Sequence, residues 1–504
     1  MPEFPSRSGN SGRRKVAVVG SGFGGLATAV RLQTRGFDVH IFEARDKLGG
    51  RAYVYQQDGF TFDGGPTVIT APFLIDELFE GAGRKTRDYV RIVPVEPFYR
   101  IEFHDGRSFE YGSDEAETER RVAEFAPNDL AGYRRMLQHA KAVFEKGFVE
   151  LSDKPFLKFS DMLRVAPDLI RLQSYKTVYQ FAADYIKDPL LRRVFSFHPL
   201  LVGGNPFQTT SIYALIHYLE RQWGVHYAMG GTGAIIAGLG RLFCEMGGHI
   251  YLSTPVRKIL VEDGVATGVE TATGYLFHSD AVVSNADVAN TYLKMIEPKW
   301  RKKYHTKRLK RMRYSMSLFV IYFGTDRQYP DLKHHTIILG NRYRELLDDI
   351  FNKKILAEDL SLYLHRPSAT DSSMAPDGCD CFYVLAPVPN QKSAIDWTSR
   401  AKPFRDAIMR FLGERYMPGL LDHVVTERIF TPLDFETTLN THLGSGFSFE
   451  PIFRQSAWFR PHNESEDVRN LFFVGAGTHP GAGVPGVLSS AKIAERLICQ
   501  RLLN

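Results

Sequence analysis

Residues 15–43 constrain the fold of this chain more than any other stretch. Lys15-Val16-Ala17-Val18-Val19 has the unbroken apolar pattern of a short buried strand. It runs without a spacer into Gly20-Ser21-Gly22-Phe23-Gly24-Gly25 and then into a helical pattern through Leu32, closed by Gly36. Phe37 to Phe42 reads as a second strand, and Glu43 ends it. A strand–turn–helix–strand unit of this kind predicts a parallel sheet with the helix crossing one face. Gly20 is expected to allow the tight turn, Gly22 and Gly24 to keep the turn open to a pyrophosphate, and Gly25 to let the helix pack close to the sheet. The phosphate charge then lies at the helix N-terminus, where free N–H groups and the helix dipole favour an anion. Glu43 stands about 20 residues beyond the glycines, where an acid accepts ribose hydroxyls. The unit predicts a dinucleotide site.

Further motifs favour a flavin dinucleotide over a nicotinamide one. Gly49-Gly50-Arg51 follows the ribose acid and resembles the extended fingerprint of the flavin amine oxidase superfamily. Gly50 keeps the wall beside the pyrophosphate thin, and Arg51 can donate two bonds to phosphate. Phe60-Thr61-Phe62-Asp63-Gly64-Gly65-Pro66-Thr67 reads as a strand and tight turn; in that superfamily the turn, here Gly65, Pro66 and Thr67, meets the flavin ring. The rest of such a site is expected far along the chain. Residues 250–259 read as one strand in which Val256 offers backbone groups to an adenine edge. Residues 261–269 read as a hairpin about Gly264, and residues 281–287 as a strand ending at Asn285. Residues 470–478 read as a buried strand opening into a loop that carries Gly475, Gly477 and Thr478. It continues through Pro485, Gly486 and Val487 into a helix from about Val487 to Leu502.

Over roughly Lys15 to the C-terminus the chain resembles bacterial-type phytoene desaturases, a carotenoid desaturase family within the flavin amine oxidase superfamily. The motifs that carry the resemblance include Gly49-Gly50-Arg51-Ala52-Tyr53, residues 62–70, residues 195–206, Gly230-Gly231-Thr232-Gly233-Ala234, Ser284-Asn285-Ala286-Asp287, residues 456–461 and residues 475–487. The resemblance implies FAD held noncovalently, a long polyene hydrocarbon such as 15-cis-phytoene dehydrogenated stepwise toward lycopene, and oxygen or a membrane quinone as electron acceptor. One departure stands out. Where many superfamily members place an acid after the glycine of the last motif, Gly475 is followed here by Ala476, Gly477 and Thr478, so that contact is expected from backbone or from Thr478. A related carotenoid or amine oxidase on the same scaffold is the alternative, as is a non-enzymatic isoprenoid carrier resembling Rab GDP-dissociation inhibitors. Glu43, Arg51 and the complete C-terminal loop argue against the carrier. No acid–base dyad stands out, and the catalytic residues are left open.

The expected fold is an α/β composite. A Rossmann-like FAD domain is assembled from residues 15–75, 249–289 and 462–504, and a mixed-sheet substrate domain from residues 76–130 and 290–461. Residues 131–248 form a mainly helical, membrane-docking part, and residues 1–14 a flexible tail. Strand-like runs at 315–323, 336–339, 362–365 and 381–386 supply the mixed sheet. Two helices are expected on either side of Pro167, with Leu169, Ile170 and Leu172 toward lipid. Nine Lys/Arg residues without an acid lie between Lys299 and Arg313, in a chain whose net charge is +6. They read as a solvated helix face or, functionally, as a surface for an anionic partner or lipid headgroups; no nucleic-acid partner is expected. No apolar run approaches the ~18 residues of a spanning helix, and the N-terminus lacks a signal-peptide core, so a cytoplasmic protein peripheral to the membrane is expected. Four cysteines, Cys244, Cys379, Cys381 and Cys499, make no disulfide framework. His334, His335 and His365 have no metal-ligand spacing and read as structural or surface residues; no metal is expected.

Overall fold

The computed structural model describes residues 12–503, so most of the segment read as a tail lies outside the described residues. Lys15–Val19 is the central strand of a five-stranded sheet. Asp38–Phe42 and His249–Tyr251 lie to one side, Ala281–Ser284 and Leu471–Phe473 to the other, and all four pairings are parallel. Strands from the beginning, middle and end of the chain therefore share one sheet. Val16 and Val18 face the helices Phe23–Thr34, Thr232–Glu245 and Val484–Leu502. Ala17 and Val19 face an antiparallel sheet of Val256–Glu262, Val265–Thr271 and Leu276–His278. Cover on both faces is the reason this strand reads as a continuous apolar run rather than an alternating one.

The run read as one strand over 250–259 is two. His249–Tyr251 closes the parallel sheet; Ser253 then takes φ +48°, and Val256 opens a strand of the other sheet. Pro255 stands at the break and has no N–H to give to a ladder. The hairpin about Gly264 forms, with Asp263 and Gly264 both at positive φ, as a two-residue hairpin turn requires.

The second large sheet has seven strands in the order Val424–Phe430, Ser317–Thr325, Asp380–Val388, Leu362–His365, His335–Leu339, Tyr99–Phe103, Ser108–Tyr111. It is mixed: His335–Leu339 runs parallel to Tyr99–Phe103, and its other pairings are antiparallel. Phe319, Ile321 and Phe323 pack against the helix Trp397–Arg415. Their neighbours Leu318, Val320 and Tyr322 point the other way, into a cavity. Helices Leu130–Phe144, Phe159–Arg171 and Leu215–Trp223 wall that cavity or support its wall.

Pro167 does not divide two helices. One helix, Phe159–Arg171, runs through it. The bond a proline removes belongs to the carbonyl four residues earlier. That residue, Leu163, is 59% exposed, so water can take over the carbonyl.

Candidate active site

A single cavity of about 640 Å³ extends from the first glycine turn to the inner face of the seven-stranded sheet. Gly20, Gly22, Gly24, Glu43, Gly50, Arg51, Gly65, Pro66, Thr67, Val256, Asn285, Gly475, Pro485, Gly486 and Val487 all line it. Three residues read as part of the site do not. Gly25 lies behind the turn, where a Cβ would stand 2.0 Å from the Gly20 carbonyl oxygen. Gly477 packs against Val288 and Ser448. Thr478 is fully buried, and its hydroxyl donates to the Pro461 carbonyl at 2.7 Å. The contact expected from Thr478 therefore has no side chain to make it.

Asn285 joins the two halves of the site. Its backbone N–H donates to Val19 O at 2.9 Å, continuing the parallel ladder. A Cβ on Gly24 would fall 2.6 Å from Asn285 Oδ1, and one on Gly475 2.9 Å from the same oxygen. The amide thus fills the space between the N-terminal turn and the C-terminal loop, and only glycine fits on either side. The helix after that loop begins at Val484, capped by Gly483 at φ +94°, three residues before the expected start. Pro485 and Gly486 belong to its first turn. The tight loop delays the apolar pattern that marks the helix in the sequence, and proline is well suited to an opening turn.

Glu43 Oε2 accepts from the Ser21 N–H at 2.9 Å and from Ser21 Oγ at 2.6 Å, and Oε1 accepts from the Arg45 N–H at 2.9 Å. The carboxylate orders the glycine turn while also lining the cavity. Arg51 stands across from it. Burial lowers its guanidinium pKa, with Asp287 acting in the opposite direction, and its Nε has no protein partner. A half-buried, cavity-lining cation with a free donor, beside a helix N-terminus and a glycine-rich turn, fits the pyrophosphate of FAD. Glu43→Ala is expected to weaken FAD binding by ~1.5–3 kcal/mol, roughly tenfold or more in Kd. Titration of apoprotein with FAD checks this, and an unchanged constant would mean that Glu43 does not reach the ribose.

The turn after Phe60–Asp63 is held from below. Asp63 Oδ1 accepts from the Thr232 N–H at 2.8 Å, and Thr232 Oγ1 donates to Pro66 O at 2.8 Å. Burial pushes the Asp63 carboxyl up to about 7. Gly65 is packed so closely that a Cβ would lie 1.9 Å from Arg51 O. Thr67 Oγ1 bonds Tyr383 OH at 2.7 Å and Tyr363 OH at 3.0 Å.

Beyond the turn the wall is mainly apolar: Leu200, Leu201, Ile216, Leu219, Leu318, Val320, Ile337, Leu339 and Leu385 among others. One buried carboxylate interrupts it. Glu220 accepts from Tyr99 OH at 2.6 Å and faces His198 Nε2 at 3.1 Å. The sequence reading missed this trio: Tyr99 and Glu220 lie outside the motifs, and His198, although it falls within residues 195–206, carries no local sign of its carboxylate partner. It also missed the role of Arg460, which is 1% exposed. The guanidinium donates to the carbonyls of Thr478, Gln455, Phe449 and Ala476 and so braces the C-terminal loop.

His334, His335 and His365 are not surface residues. All three are buried, and ring nitrogens of the three lie within 4.8 Å of one another. Spacing along the chain could not show this, because His335 and His365 meet only through the register of two antiparallel strands.

A parallel nucleotide-type sheet, a divided glycine site and an apolar chamber sharing one cavity define a flavin oxidoreductase architecture. The chain belongs to the flavin-containing amine oxidoreductase family, whose model matches residues 23–498. Within it the chain belongs to the bacterial-type phytoene desaturases. It is 52% identical to a lycopene-forming phytoene desaturase of Pseudescherichia vulneris, over 97% of this chain and 100% of that protein. It is 50% identical to one of Pantoea ananas, over the same shares. Its fold is similar to that of cyclohexylamine oxidase from Brevibacterium oxydans, with a TM-score of 0.63 at 16% identity over 98% of this chain and all of the other.

Proposed function

We propose that this protein is an FAD-dependent desaturase that converts 15-cis-phytoene stepwise to lycopene. The observation that carries the reading is the single cavity, in which a dinucleotide half opens directly onto an apolar chamber. The identity to lycopene-forming phytoene desaturases over 97% of the chain supports it. Bound FAD supplies a hydride acceptor, so that each step removes one hydrogen as hydride and its neighbour as a proton. The protein orients and shields. Glu43, Arg51 and the helix N-terminus after Gly22 hold the ribose and pyrophosphate. The turn Gly65-Pro66-Thr67 and the loop from Gly475 hold the ring. A hydrocarbon has no polar handle, so the leucine and valine walls hold it by burial, worth about 0.8 kcal/mol per CH₂. We assign residues 15–75, 249–289 and 462–504 to the cofactor domain, 76–130 and 290–461 to the substrate domain, and 131–248 to docking.

Incubating the protein with FAD and phytoene in liposomes, followed by pigment analysis, tests the reading. Red lycopene is expected, and acid precipitation is expected to leave all the flavin in the supernatant. Colourless extracts under both air and an added quinone would sink the proposed activity.

The substrate resides in bilayers, and the surface supplies a place to meet them. Among the described residues no helix is long and apolar enough to cross a membrane, so contact is interfacial. Phe159, Leu163 and Ile170 are 49%, 59% and 66% exposed on the helix Phe159–Arg171. The same helix turns Met162, Val165 and Leu169 into the cavity wall. Leu172, expected toward lipid, is buried. The basic segment adjoins this patch, since the Lys303 ammonium lies over the Trp458 ring and Trp458 packs on Phe159. Not all of the segment is free: Lys299, Lys303 and Arg313 pair with Glu297, Glu466 and Glu450. Replacing Phe159, Leu163 and Ile170 by Ser is expected to abolish salt-resistant flotation with anionic liposomes. Neutralising the exposed Lys302, Lys307 and Lys310 is expected to remove about 1 kcal/mol each of salt-sensitive binding. Parental flotation by both variants would place docking elsewhere.

A further inference from the structure

We propose that Thr67, Tyr363, His335, His365, His334 and Thr370 form a proton path from the cavity to the surface, which carries away the proton that each desaturation releases. The inference rests on the desaturase reading and concerns where that proton goes. Hydride and proton leave adjacent carbons. The hydride stays with the cofactor, while the proton appears inside a chamber walled largely by hydrocarbon side chains, where charge is costly.

The path starts at the cavity wall, which both Thr67 and Tyr363 line. Thr67 Oγ1 lies 3.0 Å from Tyr363 OH, and Tyr363 OH lies 2.7 Å from His335 Nδ1. With Nδ1 accepting from the phenol, the His335 proton sits on Nε2, which has no protein partner. His365 is the cross-strand neighbour of His335, and their rings stack at 5.4 Å with 19° between planes. His365 Nε2 lies 3.1 Å from His334 Nε2, and His334 Nδ1 lies 2.6 Å from Thr370 Oγ1. Thr370 is partly exposed. Every link but one is at hydrogen-bond distance. The remaining one, His335 to His365, falls within the 4.8 Å span of the ring-nitrogen cluster, a gap short enough for a single water to bridge.

The chemistry balances without a redox partner. Thr67 takes up the substrate proton as its own passes to Tyr363 OH, which hands its proton to His335 Nδ1. His335 releases the Nε2 proton toward His365, and the displacement continues through His334 to Thr370 and water. One proton enters, one leaves, and no electron moves. Burial keeps all three imidazoles neutral at rest: His335 and His365 are held well below the usual histidine range, and His334 is held at about 3, Arg366 adding to the effect. An imidazolium here is therefore a transit state rather than a trap. Arg366 itself is occupied by Asp380 at 3.0 Å.

The test is anaerobic single-turnover bleaching of the FAD-loaded protein by phytoene liposomes, in H₂O and in D₂O. Tyr363→Phe deletes one oxygen and keeps the ring. It is expected to slow bleaching at least about tenfold while FAD affinity stays within about twofold. His335→Ala is expected to be slow and to be partly restored by added imidazole, which a packing role would not allow. The parent is expected to show a solvent isotope effect that changes in both variants. Tyr363→Phe bleaching at the parental rate would overturn the path, as would a slow His335→Ala that imidazole does not help. Stoichiometric zinc found in the parent by elemental analysis and lost in His335→Ala would overturn it too, by making the cluster a metal site. A parent that neither bleaches nor forms coloured product would instead refute the desaturase reading.

Discussion

Arg460→Ala is expected to yield a protein without flavin and with a sharply lowered melting temperature. Four carbonyls lose their donor in this variant, those of Thr478, Gln455 and Phe449 in buried bonds and that of Ala476 in a partly buried one. Each unsatisfied buried carbonyl costs about 1–3 kcal/mol, so the three buried ones alone cost on the order of 3 kcal/mol or more. Two of the four carbonyls belong to the loop that follows Leu471–Phe473, and that loop walls the cavity through Gly475, Ala476 and His479. Stability and cofactor retention therefore fall together. Arg460→Lys does not rescue them, because a compact ammonium cannot span carbonyls that a planar fork reaches in different directions. Visible absorbance per chain and thermal melting check both variants. A flavin-replete Arg460→Ala protein would show that the loop holds its shape unaided.

Gly25→Ala has the next largest expected effect. Its new Cβ would sit 2.0 Å from Gly20 O and 3.3 Å from Asn285 Cβ, where ordinary contacts begin at 3.4 Å. The oxygen belongs to the backbone of the turn and cannot rotate away. The first helix must therefore retreat from the sheet by more than an ångström, taking the Gly22 turn and the helix N-terminus with it. Overpacking alone costs about 1–3 kcal/mol, and the displaced N–H groups no longer meet the pyrophosphate. The expected protein is folded, less stable and flavin-free. Gly36→Ala is the control. It has positive φ but open space around it, so it pays local backbone strain of about 1–2 kcal/mol and keeps its flavin. If Gly25→Ala binds FAD as tightly as the parent, the close packing behind the turn is not what positions the site.

Local order was readable in the sequence wherever one segment carries its own physical signature. The unit from Lys15 to Glu43 needs only a buried strand, a glycine-rich turn, a helix and a second strand, and each leaves its own pattern in composition. Four of the seven strands of the mixed sheet were readable for the same reason; Tyr99–Phe103, Ser108–Tyr111 and Val424–Phe430 were not. The break at residues 252–255 and the continuity through Pro167 were not, because the first depends on which sheet accepts each half and the second on which face of the helix meets water. Helix Phe159–Arg171 was legible as amphipathic, yet only packing decides that Leu172 is buried while Ile170 is 66% exposed. The same holds for side-chain chemistry. Glu43 could be named from spacing, since the motif itself sets its distance from the glycines, and Arg51 from the resemblance of Gly49-Gly50-Arg51 to the superfamily fingerprint. Thr478 was assigned to the cofactor from its place in a motif, but its hydroxyl is spent on Pro461. Arg460 finds its four carbonyls between 5 and 18 residues away through the folding of a loop, whereas Glu220 meets His198 and Tyr99 across 22 and 121 residues and His365 meets His334 across 31. Strand register and loop closure set those contacts, and neither leaves a local trace in the chain.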